Sequence, residues 1–248
     1  HNNVSVIDKN AFTECDALTN VTINDGCKTI GAYAFANCKA LKQAIIPDSV
    51  TTLGKFAFTG CAAITTVEIG AGLTEISEGA FKDCSSITSL DLGAGVKKIG
   101  RNAFWRATSL AEVEIPAQVE TIDAGAFYGC SALTKATISA TVLTIGSAAF
   151  DYCDNLTIYG EAGSAAEKYA KAEKIPFVDI NGGSEPETPA TELTNDQFAW
   201  SAATAEATMG ATNTFPTLTN TVPVSVTYES SNTSTATIAA DGTITLVA

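Results

Sequence analysis

The 248-residue chain contains 27 Asp and Glu but only 14 Lys and Arg, which gives a formal net charge of −13. An acidic chain of this kind is a poor ligand for nucleic acid and for anionic lipid surfaces. No run of 18 apolar residues occurs, so no transmembrane helix is predicted. The only histidine is His1, so a Ser-His-Asp or Cys-His nucleophilic set is not predicted either.

The chain begins at His1 rather than Met, and no signal peptide precedes the first repeat. Val4 and Ile7 already match the second half of the repeating unit described next. We therefore expect a processed or trimmed chain whose leader is missing.

Residues 1 to about 160 contain a repeat of 23 residues, marked by an Ala-Phe pair. The phenylalanines of the seven pairs are Phe12, Phe35, Phe58, Phe81, Phe104, Phe127 and Phe150. A fixed period in this range predicts a solenoid of stacked units, each of which needs its neighbours to complete a core. We therefore expect the phenylalanines to form a structural ladder, one above the other.

Cysteine follows the phenylalanine by three residues in six of the seven units, and Ala107 takes this place in the fifth. These cysteines are Cys15, Cys38, Cys61, Cys84, Cys130 and Cys153. We interpret them as buried free thiols that serve as small apolar residues. One alternative is a disulfide within the row, although a bridge between parallel side chains would twist adjacent turns. The other is a metal site, although CxxC pairs and clustered histidines are absent.

Two segments of each unit are predicted to form short strands. Val67-Glu68-Ile69 alternates apolar and polar residues, and Val50-Thr51-Thr52-Leu53 represents the second segment. The Gly-x-x-Ala-Phe-x-x-Cys segment lacks alternation and is predicted to form a helical turn. By the same spacing, Tyr159 is expected at the core position that Val67 occupies in its unit.

The full pattern, Leu-x-x-Val-x-Ile…Val-x-x-Ile-Gly-x-x-Ala-Phe-x-x-Cys, resembles the bacterial BspA-type leucine-rich repeat. The stretch from Leu110 to Phe127 shows it well, and the resemblance covers roughly residues 4 to 180. It implies a leucine-rich-repeat solenoid in a secreted or surface-attached protein that binds other macromolecules. It implies neither catalytic residues nor a cofactor.

The fifth unit departs from the others at Trp105-Arg106, next to the missing cysteine. Tyr128 lies one unit later at the same offset as Trp105, and Lys82 one unit earlier. A small aromatic patch here would be a contact point for a partner. The alternative is local repacking, with the indole lying on the surface of the turn.

Four acidic residues occupy strand positions that should face solvent, namely Glu68, Asp91, Glu112 and Glu114. They are expected to form an acidic patch across three turns. The patch is either a solvated surface without a specific role, a docking site for a basic partner or a weak Ca²⁺ site. A glycosidase-like carboxylate pair is a further alternative, since side chains ~5 Å apart match the spacing of retaining enzymes.

After Tyr159 the repeat ends and a capping unit is predicted at 161–180. Ser164 and Glu167 form a capping-box pattern at the start of a short amphipathic helix, which Pro176 is expected to end. Phe177 to Ile180 then reads as a final strand. Such a cap is required because an open solenoid end exposes apolar side chains and unpaired strand edges.

Residues 181–192 are rich in Gly, Pro and Glu and are predicted to form a linker. Residues 193–248 resemble a bacterial immunoglobulin-like domain of the second group, on the stretch from Tyr228 to Ile244. Strands are predicted at 224–228 and 236–238, with Asp241-Gly242 as a hairpin turn before 243–247. The domain is expected to be incomplete, since a further strand usually follows. The predicted domains are thus 1–180, 181–192 and 193–248.

These observations predict a non-catalytic binding or adhesion protein, extracellular or at the cell surface, that presents its repeats to a protein or glycan. The candidate contact residues are Glu68, Asp91, Glu112, Glu114, Trp105, Arg106 and Tyr128. A structural spacer or matrix component without a ligand is the main alternative. A carbohydrate-active enzyme is the third hypothesis and rests on the carboxylate spacing alone.

Overall fold

The computed structural model describes residues 4–182, together with the backbone of four short strands within 198–246. The chain divides into two compact units, His1–Pro189 and Ala190–Ala248. The first unit is a parallel β-solenoid of 23-residue turns, as the period of the repeat predicts.

Most turns of the solenoid contribute one longer and one shorter strand, which lie on two different faces. The long-strand face consists of β3 (Gln43–Ile46), β5 (Thr66–Ile69), β7 (Ser89–Asp91), β9 (Glu112–Ile115), β11 (Lys135–Ile138), β13 (Thr157–Gly160) and β14 (Phe177–Asp179). The short-strand face consists of β1 (Val6–Ile7), β2 (Thr29–Ile30), β4 (Thr52–Leu53), β6 (Glu75–Ile76), β8 (Lys98–Ile99), β10 (Thr121–Ile122) and β12 (Thr144–Ile145). Within each face, every strand pairing is parallel, so equivalent residues of successive turns lie side by side.

The phenylalanines form a continuous stack through the middle of the solenoid. Neighbouring ring centroids lie 5.0 to 5.5 Å apart and the ring planes differ by 3° to 11°. This distance is close to the ~4.8 Å spacing of paired strands, so the backbone ladder itself sets the ring stacking. Phe35 to Phe150 are fully buried, whereas Phe12 in the first turn is 39% exposed because no turn lies on its other side.

The Ala-Phe segment is a series of tight turns rather than the predicted helical turn. The residues two before and two after each phenylalanine have positive φ, as at Tyr33 (57°) and Asn37 (59°) around Phe35. A left-handed residue interrupts a helix. The alternation also turns the N–H groups of Tyr33, Phe35 and Asn37 toward the next turn, where they donate to Lys55, Ala57 and Thr59. The cost of these strained residues is offset by hydrogen bonds that repeat in the first six turns.

The cysteine row is hydrogen-bonded, and all of its members except the half-buried Cys15 are buried. All six cysteines of the row, and Cys27 outside it, are free thiols. From the second turn on, each S–H of the row donates to the phenylalanine carbonyl of the preceding turn. Cys61 Sγ, for example, lies 3.0 Å from Phe35 O, and the same carbonyl accepts the N–H of Cys38 at 3.2 Å. Cysteine therefore acts here as a donor and not only as a small apolar residue.

Helix α1 (Ala165–Glu173) caps the last turn and buries Ala166, Tyr169 and Ala170. The Ser164 hydroxyl accepts the N–H of Glu167, as the capping box predicts. The Glu167 carboxylate, however, accepts the N–H of Gly163 at 2.6 Å. The helix ends before Pro176, because Lys174 adopts a left-handed conformation and its N–H donates to Ala170 and Lys171.

The seventh turn is one residue shorter than the period. Ile158, and not Tyr159, is the buried residue that pairs with Ala136 in β11. The expectation that Tyr159 enters the core is therefore wrong. Because side chains alternate along a strand, one missing residue turns Tyr159 toward the partly exposed side.

In the second unit, β15 (Phe198–Trp200) pairs antiparallel with β16 (Leu218–Asn220), and β17 (Ala236–Ile238) with β18 (Ile244–Leu246). The last pair agrees with the predicted hairpin, although its turn and the strand predicted at 224–228 lie outside the described residues. The immunoglobulin-like assignment for 193–248 and the linker at 181–192 fall largely outside them too.

Candidate binding surface

Four side chains on consecutive turns form a row along the Ala-Phe segments, which we call the aromatic row: Lys82, Trp105, Tyr128 and Tyr152. The first three are half-buried and Tyr152 is exposed. The rings of Trp105 and Tyr128 are stacked, with centroids 3.8 Å apart and planes 9° apart. Lys82 Nζ lies 5.7 Å from the Trp105 ring on one side. Tyr152 lies 4.8 Å from Tyr128, with its ring tilted by 54°.

The stacking decides which parts of the row a partner can reach. Both faces of Trp105 are covered, by Lys82 and by Tyr128, so its edge is what remains for contact. Tyr152 ends the row, is 64% exposed and has a ring neighbour on one side. The Tyr152 hydroxyl is hydrogen-bonded to that of Tyr128, which raises the Tyr128 pKa. The rings of the row thus hold one another in place before a partner binds.

The local backbone makes room for the indole of Trp105. Gly125 in the next turn has φ +65°, and a Cβ there would lie 3.3 Å from Trp105 Cζ3. Arg106 follows Trp105 in the left-handed conformation, is exposed, and its charge acts on the Tyr128 hydroxyl. The structure thus places Trp105, Arg106 and Tyr128 of the predicted aromatic patch close together.

The four acidic candidates are exposed on the long-strand face, but they fall into two groups. Glu68 and Asp91 lie in register on β5 and β7. Glu112 and Glu114 both lie on β9, and the hydrogen-bonded ladder is interrupted between β7 and β9. At this point the Ser109 N–H donates to Ser85 instead. The backbone ladder beneath the expected patch is therefore interrupted once, between β7 and β9.

The neighbours of these carboxylates limit what they can do. Asp91 accepts the N–H of Gly93 at 2.8 Å, so one of its oxygens is already used by the backbone. Glu112 lies in register with Lys135, whose Nζ is 5.3 Å from the Tyr159 ring. Within residues 4–182 no group of three or more Asp, Glu, Cys or His side chains is placed to hold a metal ion. A Ca²⁺ site on this face therefore has no support from the geometry.

The carboxylate-pair hypothesis is also weakened by the arrangement of the strands. Glu68 and Asp91 project in parallel from adjacent strands of one open face. A glycosidase needs its two carboxyl groups on opposite sides of the bond that is cleaved. Side chains that project in parallel from one sheet cannot meet this requirement.

Tyr152 and the second aromatic pair, Tyr33–Phe56, were not indicated as candidates by the sequence. Tyr33 and Phe56 stack with centroids 5.2 Å apart, and the Phe56 ring covers Gly79 of the next turn. Tyr33 and Phe56 each lie two residues before a phenylalanine of the ladder. Their 23-residue spacing could have revealed this pair from the sequence.

The sequence matches the BspA type leucine rich repeat region in six copies, over residues 1–107 and 28–157. No curated protein matches it. Among the described residues, no helix has the length and apolar character of a membrane span.

Three solved structures share the solenoid. A leucine-rich repeat protein from Bacteroides ovatus is 28% identical with a TM-score of 0.58, and the match covers 72% of this chain and 52% of that one. The T. pallidum leucine rich repeat protein is 27% identical with a TM-score of 0.58, over 62% of this chain and 73% of that one. A leucine-rich repeat protein from Eubacterium ventriosum is 30% identical with a TM-score of 0.51, over 54% and 37%.

The chain thus spans about half the length of the Bacteroides ovatus protein. None of the three descriptions names a catalytic activity. The 23-residue parallel turns and the family match over most of the solenoid lead to one conclusion: this chain belongs to the BspA-type leucine-rich-repeat family.

Proposed function

We propose that the protein is a non-catalytic binding or adhesion protein, at the cell surface or secreted, whose solenoid contacts a protein or glycan partner. The observation that carries this proposal is the aromatic row. Trp, Tyr and Arg are the residue types that contribute most to binding energy at interfaces. A spacer would be expected to scatter its aromatic side chains, whereas here they are grouped on consecutive turns.

The solenoid gives this surface its rigidity. Each turn is held to the next by backbone hydrogen bonds and by the buried phenylalanine stack, so the row is ordered before a partner arrives. Preorganisation lowers the entropic cost of binding, because fewer side chains must be fixed in the complex. The acidic face of Glu68, Asp91, Glu112 and Glu114 provides a second contact in this proposal, for a basic partner surface.

The proposal is tested by binding the full chain to immobilised extracellular-matrix proteins and mucins. Trp105→Ala and Tyr152→Ala shorten the aromatic row, and Glu68→Lys, Asp91→Lys and Glu114→Lys together reverse the charge of the acidic face. Tyr33→Ala is the matched control, since it removes an exposed stacked ring at a distance along the solenoid. We expect the row variants to lose at least about tenfold in affinity and the control to be unchanged.

The charge-reversed variant should chiefly slow association and lose the salt dependence of binding. Equal binding by the parent, the row variants and the charge-reversed variant would reject both surfaces and leave the spacer role.

A further inference from the structure

The cysteine row is divided into two parts by Ala107. Cys15, Cys38, Cys61 and Cys84 lie on the first four turns, and Cys130 and Cys153 form a separate pair on the last two. Because Ala107 has no sulfur, the Cys130 thiol has one thiol neighbour, that of Cys153. The two thiols of this pair interact, which shifts their pKa values in opposite directions.

The pair is held less closely by the backbone than the other thiols. Cys38, Cys61 and Cys84 donate to carbonyls at 3.0, 3.0 and 3.1 Å. The corresponding distances are 3.4 Å for Cys130 and 3.3 Å for Cys153. The longer contacts leave these two sulfurs freer to interact with each other.

The pair also has an entrance. Cys153 lines an open notch of about 400 Å³ between the last turn and the end of α1, together with Tyr152 and Lys174. Its side chain is 7% exposed, whereas Cys61, Cys84 and Cys130 are fully buried. A small solute can therefore reach Cys153 without opening the solenoid.

We propose that Cys130 and Cys153 are a thiol modification site that forms an inter-turn disulfide when a peroxide enters this notch. The peroxide oxidises Cys153 to a sulfenic acid and is itself reduced, releasing one water. The Cys130 sulfur then attacks the Cys153 sulfur, so that an S–S bond forms and the S–O bond breaks. The hydroxide leaves with the Cys130 proton as a second water.

The electrostatics favour these roles. The interaction between the two thiols lowers the Cys153 pKa and, together with burial, raises the Cys130 pKa. The thiolate is the form that reacts with peroxide, so Cys153 is the group attacked first. The rings of Phe127 and Phe150, three residues before the two cysteines, lie 5.2 Å apart. Turns stacked at this spacing bring the two Cα atoms within the range that a disulfide spans.

Cys15 is the other accessible thiol, at the opposite end of the row. Its neighbour Cys38 is committed to the Phe12 carbonyl at 3.0 Å. We therefore expect Cys15 to react singly, and the test uses a Cys15→Ala background so that its products do not interfere.

The experiment treats the folded, reduced Cys15→Ala chain with hydrogen peroxide and then blocks the remaining thiols for peptide mapping. The expected product lacks two hydrogens and joins the peptides of Cys130 and Cys153. Thiol loss at Cys153 should be at least about tenfold faster than at Cys61. Dithiothreitol should restore both thiols.

Two variants make the result specific. With Cys130→Ala, the expected product is a sulfenic acid at Cys153 that dimedone traps, without a disulfide. Ala107 shows that this position of the repeat accepts alanine, so the variant is expected to fold. Cys61→Ala should oxidise like the parent. A disulfide elsewhere in the row, or no loss of thiol at Cys153 before the chain unfolds, would overturn the proposal.

Discussion

The Tyr169 hydroxyl accepts the N–H of Phe150 at 3.1 Å, while its ring packs edge-on against the Phe150 ring at 6.0 Å. In the other turns this N–H donates to an alanine carbonyl of the following turn, as Phe127 does to Ala149 at 2.8 Å. Tyr169 thus replaces both the carbonyl and the ring that a further turn would supply.

Tyr169→Phe should lower the free energy of unfolding by about 1–3 kcal/mol, because the buried Phe150 N–H loses its acceptor. Urea denaturation measures the change. Tyr33→Phe is the matched control on the surface and should stay within about 0.5 kcal/mol of the parent. Equal effects of the two changes would mean that the hydroxyl of Tyr169 does not hold the cap.

Phe81→Ala should cost about 3–5 kcal/mol, because it empties a buried site that is stacked on both sides. Phe12→Ala should cost roughly 1 kcal/mol, since Phe12 is partly exposed and has a ring on one side. Chemical denaturation of the two variants tests this order. A larger loss for Phe12→Ala would contradict a stack that is stabilised from both sides.

Ala107→Cys should stabilise the solenoid by about 0.5–1 kcal/mol, because the new S–H can donate to the Phe81 carbonyl. That carbonyl now accepts the Cys84 N–H but has no thiol above it. Ala103→Cys is the control, since it overpacks a buried alanine and should destabilise. Thermal melts under reductant separate the two outcomes.

Stability should fall at alkaline pH. Burial raises the Cys61 pKa from 9.0 to about 12 and that of Tyr169 from 10.0 to about 12. Between these values the unfolded chain has lost protons that the folded chain retains, so rising pH favours unfolding. The stabilisation is complete below pH 9.0 and is lost as the pH approaches about 12.

Melting temperatures from pH 8 to 12 under reductant should therefore decline. Cys61→Ala should show a shallower decline than the parent, whereas a slope unaffected by this change would reject the assignment to Cys61.

The 23-residue spacing was enough to predict the parallel turns and the row of phenylalanines, because identical units can share a core only when like positions stack. The exposure of Glu68 and Asp91 followed from the alternation of β5 and β7. The register of Tyr159 could not be predicted, because the 23-residue period gives no sign of a one-residue deletion in the last turn. Ile158 and Tyr159 are both apolar enough to occupy the core position, so the residue types do not decide between them.

The aromatic row was less predictable. Trp105 and Tyr128 share an offset, but Tyr152 lies one residue further along its turn and joins them through its left-handed backbone. Similarly, the Glu167 carboxylate reaches Gly163 rather than Ser164, a choice between adjacent N–H groups that depends on the loop before the helix. Such details are set by backbone geometry and not by residue type.

In the first six turns, the N–H groups of the phenylalanine and of the residues two before and two after it donate to the following turn. The donors on one side of a turn consequently match the acceptors on the opposite side of an identical turn. Duplication or loss of a whole 23-residue segment between Phe35 and Phe127 would restore each contact at the new junction. The gene can thus lengthen or shorten this protein in unit steps without redesigning its interior, while the outward side chains diversify.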